Sequence, residues 1–337
     1  RCSSSRTASW NRCSFPTVDS FFGEEGLAER PSAVRDNQEP RIFSAVELDG
    51  REAVGALRFK DEILAPQGAK EYIIATGIAG DRDEALKEFG RFNSSERLAR
   101  AFEENRAFWD KKTSTVLFDG EDRAFSSWLR WVTLQPILRR IFGCSFLPDH
   151  DYGKGGKGWR DIWQDLLSLI LIEPGEVRES LLNNFAGVRI DGSNATIVGQ
   201  NPGEFIADRN AITRVWMDHG VWPLTTALLY IDQTGDYDLL FEDAAYFCDV
   251  QQSRTLEKNK TWTPAYGHQL KDKKGNVYRG TVLEHLLIQH LVQFFNVGEH
   301  NIIRLESADC NDGMDMGFRR GESVAFMSFY AGNFLRI

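Results

Sequence analysis

Alternation of apolar and polar residues is clearest between positions 41 and 80. Three short β-prone runs occur there, separated by an Asp49-Gly50 turn and a Pro66-Gln67-Gly68 turn: RIFSAVEL, EAVGALRF and EYIIATGI. Residues 1–40 have little periodicity. The pattern therefore predicts that residues 1–80 are an irregular start followed by the end of a β-domain whose other strands lie outside this chain.

From Asp81 onward the apolar residues recur with the period of a helix. The predicted helices are DRDEALKEFGRF, SSERLARAFEENRAFWDKK, SSWLRWVTLQPILRRIF, WRDIWQDLLSLILIEP, GEVRESLLNNFAGV, ITRVWMDHGVWPLTTALLYIDQTG, DYDLLFEDAAYFCDV, GTVLEHLLIQHLVQFFNVG and RGESVAFMSFYAGNFLRI. We expect linker helices over 81–145 and a helical domain over 146–337. Long polar loops between successive helices favour an α-barrel or helical toroid, with a site built by the loops at one end. Because the last helix has no cap at Ile337, we expect the barrel to be incomplete.

Composition narrows the function classes. The chain has 337 residues, 42% hydrophobic and 26% charged, with a net charge of −9, which disfavours a nucleic-acid partner or an anionic membrane surface. The longest apolar run, LLSLILI, is too short to cross a bilayer. Five scattered cysteines without a C-x-x-C pair favour a reducing, cytoplasmic setting and offer no zinc ribbon.

A glycine-rich loop, DYGKGGKGWRDIWQDLL, contains G-x-G-x-x-G at Gly153, Gly155 and Gly158. A dinucleotide site needs a strand before these glycines and an acidic residue on a second strand about 20 residues later, and neither is present. The loop instead leads into a helix with tryptophans beside polar groups, an arrangement suited to sugar rings or, alternatively, to core packing. The candidate binding residues here are Lys154, Trp159, Arg160, Asp161, Gln164 and Asp165.

A second candidate is the acidic block ESADCNDGMDMGFRRGES. Its spacing does not fit an EF-hand, because counting from Asp309 places Gly313 fifth and Arg320 twelfth. Carboxylates this close repel one another, which raises the pKa of one of them, and a protonated carboxylic acid is what cleavage of a glycosidic bond requires. An Asx-type turn is the alternative interpretation.

Two further groups lie within predicted helices. Asp218-His219 lies in an apolar stretch, where it is either a satisfied core pair or a substrate contact. Glu284, His285 and His290 do not have H-E-x-x-H spacing, so zinc-protease chemistry is not expected, and no metal site is predicted.

Taken together, these blocks resemble glycoside hydrolase family 94, the inverting β-glucoside phosphorylases. The resemblance covers about Gly153 to Phe326, in the order GKGGKGWRDIWQDLL, WMDHGVWPL, YIDQTGDYDLL, TVLEH, SADCNDGMD and GESVAF. The segments WRDIWQD and FFNVGEHNIIRLE are most similar in sequence to the β-1,2-oligoglucan phosphorylases.

The resemblance implies an antiparallel β-sandwich, linker helices and an (α/α)6 barrel. It further implies that Asp312 is the general acid and that Asp161 hydrogen-bonds the donor sugar with Arg160 beside it. Lys154 lies near a position where relatives carry a basic residue, usually Arg. The expected partners are a β-linked gluco-oligosaccharide and phosphate, with no cofactor, and a homodimer of the full-length protein stays open.

Two departures from the family pattern affect the functional prediction. The family's D-W-N-D block has a tryptophan lining the donor sugar, whereas this chain reads Asp309-Cys310-Asn311-Asp312. The family's phosphate ligands lie well C-terminal to the acid, and we expect them beyond Ile337, so that residues 1–337 alone would be inactive. An impaired saccharide-binding module and an inverting hydrolase with Glu284 as second carboxylate are therefore kept as alternatives.

Overall fold

A computed structural model describes residues 14–24, 26–142, 158–199, 203–206 and 214–337, and the chain divides into two compact units, Arg1–Leu98 and Ala99–Ile337. The first unit contains β1 (Ser14–Thr17), α1 (Val18–Phe22), α2 (Ser32–Arg35), α3 (Ala45–Leu48), β2 (Ala53–Leu57) and α4 (Arg82–Phe92). Strands β1 and β2 pair antiparallel, with Phe15 opposite Ala56.

Of the three strands predicted over residues 41–80, only the middle one forms, as β2. The run RIFSAVEL instead contains α3, because Ser44 and Glu47 make a reciprocal capping box that stabilises a helical turn. The run EYIIATGI has no regular secondary structure. The described residues thus give a two-stranded sheet, and the β-sandwich stays a prediction.

The second unit is mainly helical. Its helices are α5 (Ser95–Thr113, beginning just before the boundary), α6 (Arg123–Phe142), α7 (Trp159–Ile172), α8 (Val177–Phe185), α9 (Val221–Thr234), α10 (Val282–Leu291) and α11 (Val324–Phe334). Short 3-10 helices lie at Met217–Gly220, Tyr237–Phe241, Pro264–Tyr266, Val292–Phe294 and Asp312–Gly317. The predicted helical series is therefore confirmed for these segments, while the closed toroid and the predicted domain limits stay predictions.

Small two-stranded sheets lie between the helices of the second unit. They pair β3 (Ile197–Val198) with β4 (Phe205–Ile206), β5 (Asp243–Ala245) with β8 (Arg279–Thr281), and β6 (Gln251–Gln252) with β7 (Glu257–Lys258), all antiparallel. The helix predicted over DYDLLFEDAAYFCDV is wrong beyond its first turn. Its centre forms β5 instead, because Ala244 pairs with Gly280 of β8.

Two apolar clusters hold the second unit together. The larger contains the buried side chains of α7, α8, α9 and α10, including Trp159, Trp163, Phe185, Leu224 and Leu286. The smaller joins the 3-10 turn at Met217 to α11 through Val221, Ile303, Leu305, Phe326 and Tyr330.

Local capping marks the starts of α10 and α11 and the end of α9. Thr281 accepts a hydrogen bond from Glu284 N at the start of α10, and Ser323 accepts one from Phe326 N at the start of α11. Gly235 ends α9 in the left-handed conformation, with φ of 70°. In the described part of the chain, no helix has both the length and the apolar composition that crossing a membrane requires.

We predict that Gly220→Ala destabilises the second unit. A Cβ at Gly220 would lie 2.4 Å from the hydroxyl oxygen of Tyr330, whose side chain is fully buried and whose hydroxyl donates to Met217 O. Overpacking of this kind costs about 1–3 kcal/mol. The measurement is the free energy of unfolding from urea titration.

Gly332→Ala is the matched control, because Gly332 lies inside α11 and a Cβ there meets no atom within 4 Å. We expect this change to be neutral or to stabilise by up to ~1 kcal/mol. Equal stability of the two variants would contradict the assigned contact between Gly220 and Tyr330.

Candidate sugar-binding site

The candidate site is organised around the first turn of α7, which begins directly after Gly158. Trp159 N donates to Thr196 O at 2.9 Å, which fixes the start of the helix. A Cβ at Gly158 would lie 2.7 Å from Asp161 Oδ2, so glycine leaves room for that carboxylate to fold back over the helix start. The last glycine of the G-x-G-x-x-G motif therefore has a steric reason that does not involve a nucleotide. Gly153, Gly155 and the predicted ligand Lys154 lie outside the described residues.

Trp159, a candidate sugar contact for which core packing was the alternative, packs in the core together with Trp163. The side chain of Trp159 is 1% exposed, and its indole N–H donates to His219 O at 3.1 Å. Trp163 is fully buried and meets Trp159 edge to face. Neither ring has a face open to a ligand, so both tryptophans stabilise the fold beneath the helix start.

Arg160 connects three parts of the chain. Its Nε and Nη2 donate to Asp218 Oδ2 and Oδ1 at 2.7 and 3.1 Å, and Nη2 also donates to Asp309 O at 3.0 Å. Asp218 lies in the 3-10 turn before α9 and also accepts a hydrogen bond from Trp222 Nε1 at 2.9 Å. The structure thus brings together three of the sequence-predicted segments, the W-R-D helix start, the Asp218-His219 turn and the acidic block.

Asp218 is held as a carboxylate by these contacts. Its side chain is 0% exposed, and burial alone would raise its pKa. His219, the Arg160 guanidinium and the Trp222 N–H together outweigh burial and leave the pKa below the ordinary value of 3.8. Asp218 therefore holds the Arg160 guanidinium in place. Of the two alternatives for Asp218, its full burial favours a satisfied core residue over a direct sugar contact.

Asp161 and Asp165 lie on one face of α7, as their spacing predicts, and share one arginine. Arg139 of α6 donates through Nη2 to Asp161 Oδ1 at 2.9 Å and through Nε to Asp165 Oδ1 at 2.7 Å. Asp165 is buried and serves this ion pair, whereas the side chain of Asp161 is 43% exposed. Partial burial raises the pKa of Asp161 against the opposing charge of Arg139. Asp161 is thus the acidic residue of α7 available to a ligand, and Gln164 beside it is half-buried.

The acidic block forms a tight turn that leads into a 3-10 helix. Asp309 Oδ1 accepts a hydrogen bond from Asn311 N at 2.9 Å, and Asp309 Oδ2 accepts one from Ser323 Oγ at 3.3 Å. Asn311 Oδ1 accepts one from Gly313 N at 3.1 Å. Asp309 and Asn311 therefore shape an Asx-type turn, and Asp312 begins the 3-10 helix Asp312–Gly317. The orientation of the Asp312 side chain lies outside what the structure describes.

Cys310 is exposed at the turn that Arg160 contacts. Burial raises the pKa of its thiol, and the carboxylates of Asp309 and Asp218 raise it further, while Arg160 lowers it. The side chain at this position is therefore a small neutral thiol within range of the charges around Arg160. A thiol has no flat face on which a sugar ring could stack.

Other polar groups noted in the sequence have structural partners. Glu284 accepts a hydrogen bond from Tyr246 Oη at 2.7 Å. His285 lies between Thr281 O and Ala245 O, and burial lowers its pKa. His290 contacts Leu286 O and Asn333, and burial lowers its pKa to about 4. Within the described ranges, no group of three or more His, Cys, Asp or Glu side chains could hold a metal ion.

The family profile described as glycosyl hydrolase 94 superfamily, catalytic domain, matches residues 108–337. The chain belongs to this family. It is therefore a member of a family of carbohydrate-active enzymes.

A curated relative is the cyclic β-(1,2)-glucan synthase NdvB of Rhizobium meliloti (strain 1021). It is 27% identical over 321 residues, which are 94% of this chain and 10% of the relative. The chain thus spans about a tenth of the length of that protein.

Two arginines of the site region, Arg139 and Arg254, were not predicted from the sequence. Arg139 lies 26 residues before Asp165, and Arg254 lies 52 residues before its partner Glu306. Neither spacing has a local signature. Glu306 itself was noted only as the first residue of the acidic block, without its arginine partner.

We predict that Asp218→Asn strongly destabilises the protein, because it removes the buried negative charge that the Arg160 guanidinium contacts through Nε and Nη2. Breaking a buried pair in this way costs about 3–5 kcal/mol. Since the pKa of Asp218 is lowered, its contribution is present at neutral pH and is lost as the pH falls below the ordinary carboxyl value of 3.8. The measurement is urea unfolding at pH 7 and at successively lower pH.

Asp236→Asn is the control for this test. Asp236 also pairs with an arginine, Arg178, but both side chains are partly exposed. We expect a loss of about 1 kcal/mol or less at pH 7. Equal losses in the two variants would contradict the central place of Asp218.

Proposed function

We propose that this chain carries the donor-sugar part of an inverting phosphorylase acting on β-linked gluco-oligosaccharides. The supporting observation is the contact between Arg160 and the backbone of Asp309, which ties the W-R-D helix start to the acidic block three residues before Asp312. Membership of family 94 supports the reaction class. The name of the relative, a β-(1,2)-glucan synthase, favours β-(1,2)-linked glucose as the substrate.

The proposed reaction has a simple division of labour. Inorganic phosphate attacks the anomeric carbon from the face opposite the glycosidic oxygen, and the C–O bond to the leaving saccharide breaks. Asp312 gives its proton to that leaving oxygen. The products are an α-sugar 1-phosphate and a saccharide shortened by one unit, with inversion at the anomeric carbon.

One carboxylic acid suffices for this reaction. An inverting hydrolase needs a second carboxylate to activate water, whereas phosphate is already an anionic nucleophile. Glu284, the candidate for that second carboxylate, is engaged by the hydroxyl of Tyr246. This contact favours phosphorolysis over hydrolysis in our proposal.

The other side chains of the site have binding roles in this proposal. Asp161 accepts hydrogen bonds from donor-sugar hydroxyls, because its carboxylate is partly exposed and is steadied by Arg139. Arg160 lies beside it and fixes the turn of Asp309 and Cys310. Lys154 supplies positive charge to the incoming phosphate. No metal or organic cofactor takes part, and the protein acts in the cytoplasm.

The test uses the full-length gene product with α-glucose 1-phosphate and short β-(1,2)-linked glucose acceptors, and it measures phosphate release. We expect Asp312→Asn to lower kcat by about 10²–10⁴-fold, the usual contribution of a general acid. The control is Asp232→Asn, which removes an exposed carboxylate paired with Arg336 and is expected to leave kcat unchanged. Unchanged phosphate release by Asp312→Asn would overturn the assignment of the acid.

A second candidate function, a saccharide-binding module without turnover, is favoured by Cys310, which replaces the stacking tryptophan of the family. We predict that Cys310→Trp tightens sugar binding, because an indole offers a large flat apolar face against which the C–H face of a sugar ring can pack. Calorimetry with a β-(1,2)-linked disaccharide measures the change in affinity. If Cys310→Trp binds sugar but neither this variant nor the wild type releases phosphate, the function is sugar binding without turnover.

A further inference from the structure

The turn between β6 and β7 has an unusual backbone. Three consecutive residues that are not glycine, Ser253, Arg254 and Thr255, have φ values of 54°, 51° and 68°. Side chains with a Cβ are strained in this left-handed region, and such strain persists only where the surroundings enforce it. The central residue of the three is an arginine whose side chain is 10% exposed.

Two carboxylates hold this strained turn in place. At its tip, Asp191 Oδ2 accepts a hydrogen bond from Arg254 N at 2.6 Å. At its base, Asp249 Oδ1 accepts one from Gln251 N at 2.9 Å, and Asp249 forms a buried ion pair with Arg189 at 2.8 Å. The backbone of the turn is thus held at its tip and at its base, independently of the contacts of the Arg254 side chain.

Arg254 directs its guanidinium to Glu306 in a two-pronged ion pair. Nε donates to Oε1 at 2.8 Å and Nη2 donates to Oε2 at 2.5 Å. Glu306 is also left-handed, with φ of 56°, and its side chain is 11% exposed. Arg254 Nη1 is buried without a hydrogen-bond partner, so the contact with Glu306 is what holds this cation.

Glu306 opens the segment that leads to Asp312. The next residues are bonded to the strand-like stretch before α9, with Ser307 N donating to Val215 O at 3.0 Å and Ala308 O accepting from Met217 N at 2.9 Å. The following carbonyl, that of Asp309, is the one that Arg160 contacts. Within residues 306–309, Arg254 therefore holds the first residue, backbone hydrogen bonds hold the middle two, and Arg160 holds the last.

We propose that Arg254 is a positioning residue for the phosphorolytic reaction, which it serves by fixing the segment 306–309 that carries Asp312 to the donor sugar. The inference rests on the proposed function. Arg254 does not touch the substrate. The strained turn, anchored by Asp191 and Asp249, places the Arg254 guanidinium against Glu306. This contact fixes the backbone at Glu306 and thereby the position of Asp312, six residues later.

Kinetics test this role. Arg254→Met is expected to lower kcat for phosphate release by about 10–100-fold with KM for the disaccharide within about twofold, because an interaction that only orients the acid acts in the transition state. Arg254→Lys is expected to recover part of the loss, since it keeps the charge but not the two-pronged geometry. The control Arg178→Met breaks the ion pairs with Asp236 and Glu242 and should leave kcat unchanged.

A double variant separates positioning from mere stability. Apolar replacement of a buried ion pair often restores stability, so Arg254→Met with Glu306→Leu is expected to regain most of the melting temperature lost in Arg254→Met. Its kcat should stay about 10-fold or more below that of the wild type. Recovery of kcat together with melting temperature would overturn the positioning role.

Hydrogen exchange gives a readout that does not depend on activity. In Arg254→Met the amides of Ser307 and Met217 should exchange faster than in the wild type, while Arg178→Met leaves both unchanged. If the wild type releases no phosphate, the proposed function is wrong. Separately, unchanged exchange of the Ser307 and Met217 amides in Arg254→Met would show that Arg254 does not fix the segment 306–309. If the wild type is active and Arg254→Met has full kcat, the positioning role alone is wrong.

Discussion

The contact of Arg160 with Asp218 and with the carbonyl of Asp309 is the interaction on which the arrangement of the site depends. It joins residues that are 58 and 149 positions apart in sequence. Asp218 is fully buried, and a buried carboxylate is tolerated only when it is paired and hydrogen-bonded. Pairing of the Asp218 charge therefore fixes how three segments lie against one another: the start of α7, the turn before α9 and the acidic block.

The same principle recurs in the surroundings of the site. Arg139 holds Asp161 and Asp165, and Arg254 holds Glu306. Arginine suits this task because its planar fork donates two parallel hydrogen bonds to one carboxylate and stays charged when buried. Among the described carboxylates that these arginines hold, Asp161 has the most exposed side chain, which is why we propose it as a ligand of the sugar.

Sequence reasoning captured what depends on local order. The helices from α4 to α11 were predicted because apolar periodicity and caps act within a few residues, as at Ser323. It failed where a distant partner decides, because β5 forms only by pairing with β8. It also failed at residues 45–48, where the capping box of Ser44 and Glu47 outweighs β-prone composition.

The contacts around the candidate site were predicted only in part, for the same reason. Arg160, Asp161 and Asp218 were singled out because they lie in recognisable blocks, and the structure brings the blocks of Arg160 and Asp218 into contact. The tryptophan beside Arg160 was assigned to sugar although it packs in the core, since sequence alone cannot distinguish a buried indole from an exposed one. The pair of Arg254 and Glu306 was missed because nothing within either segment reveals a partner 52 residues away.

The most direct test of this account is a crystal structure of the full-length gene product with a β-(1,2)-linked glucose disaccharide and a non-reacting phosphate analogue. The account predicts that the donor sugar lies against Asp161 and Cys310, with its glycosidic oxygen within hydrogen-bond distance of the Asp312 carboxyl. Arg160 should still bind Asp218 and Asp309 O. A disaccharide bound away from Asp161 and Asp312, or an Arg160 released from Asp218 to contact it, would contradict the account.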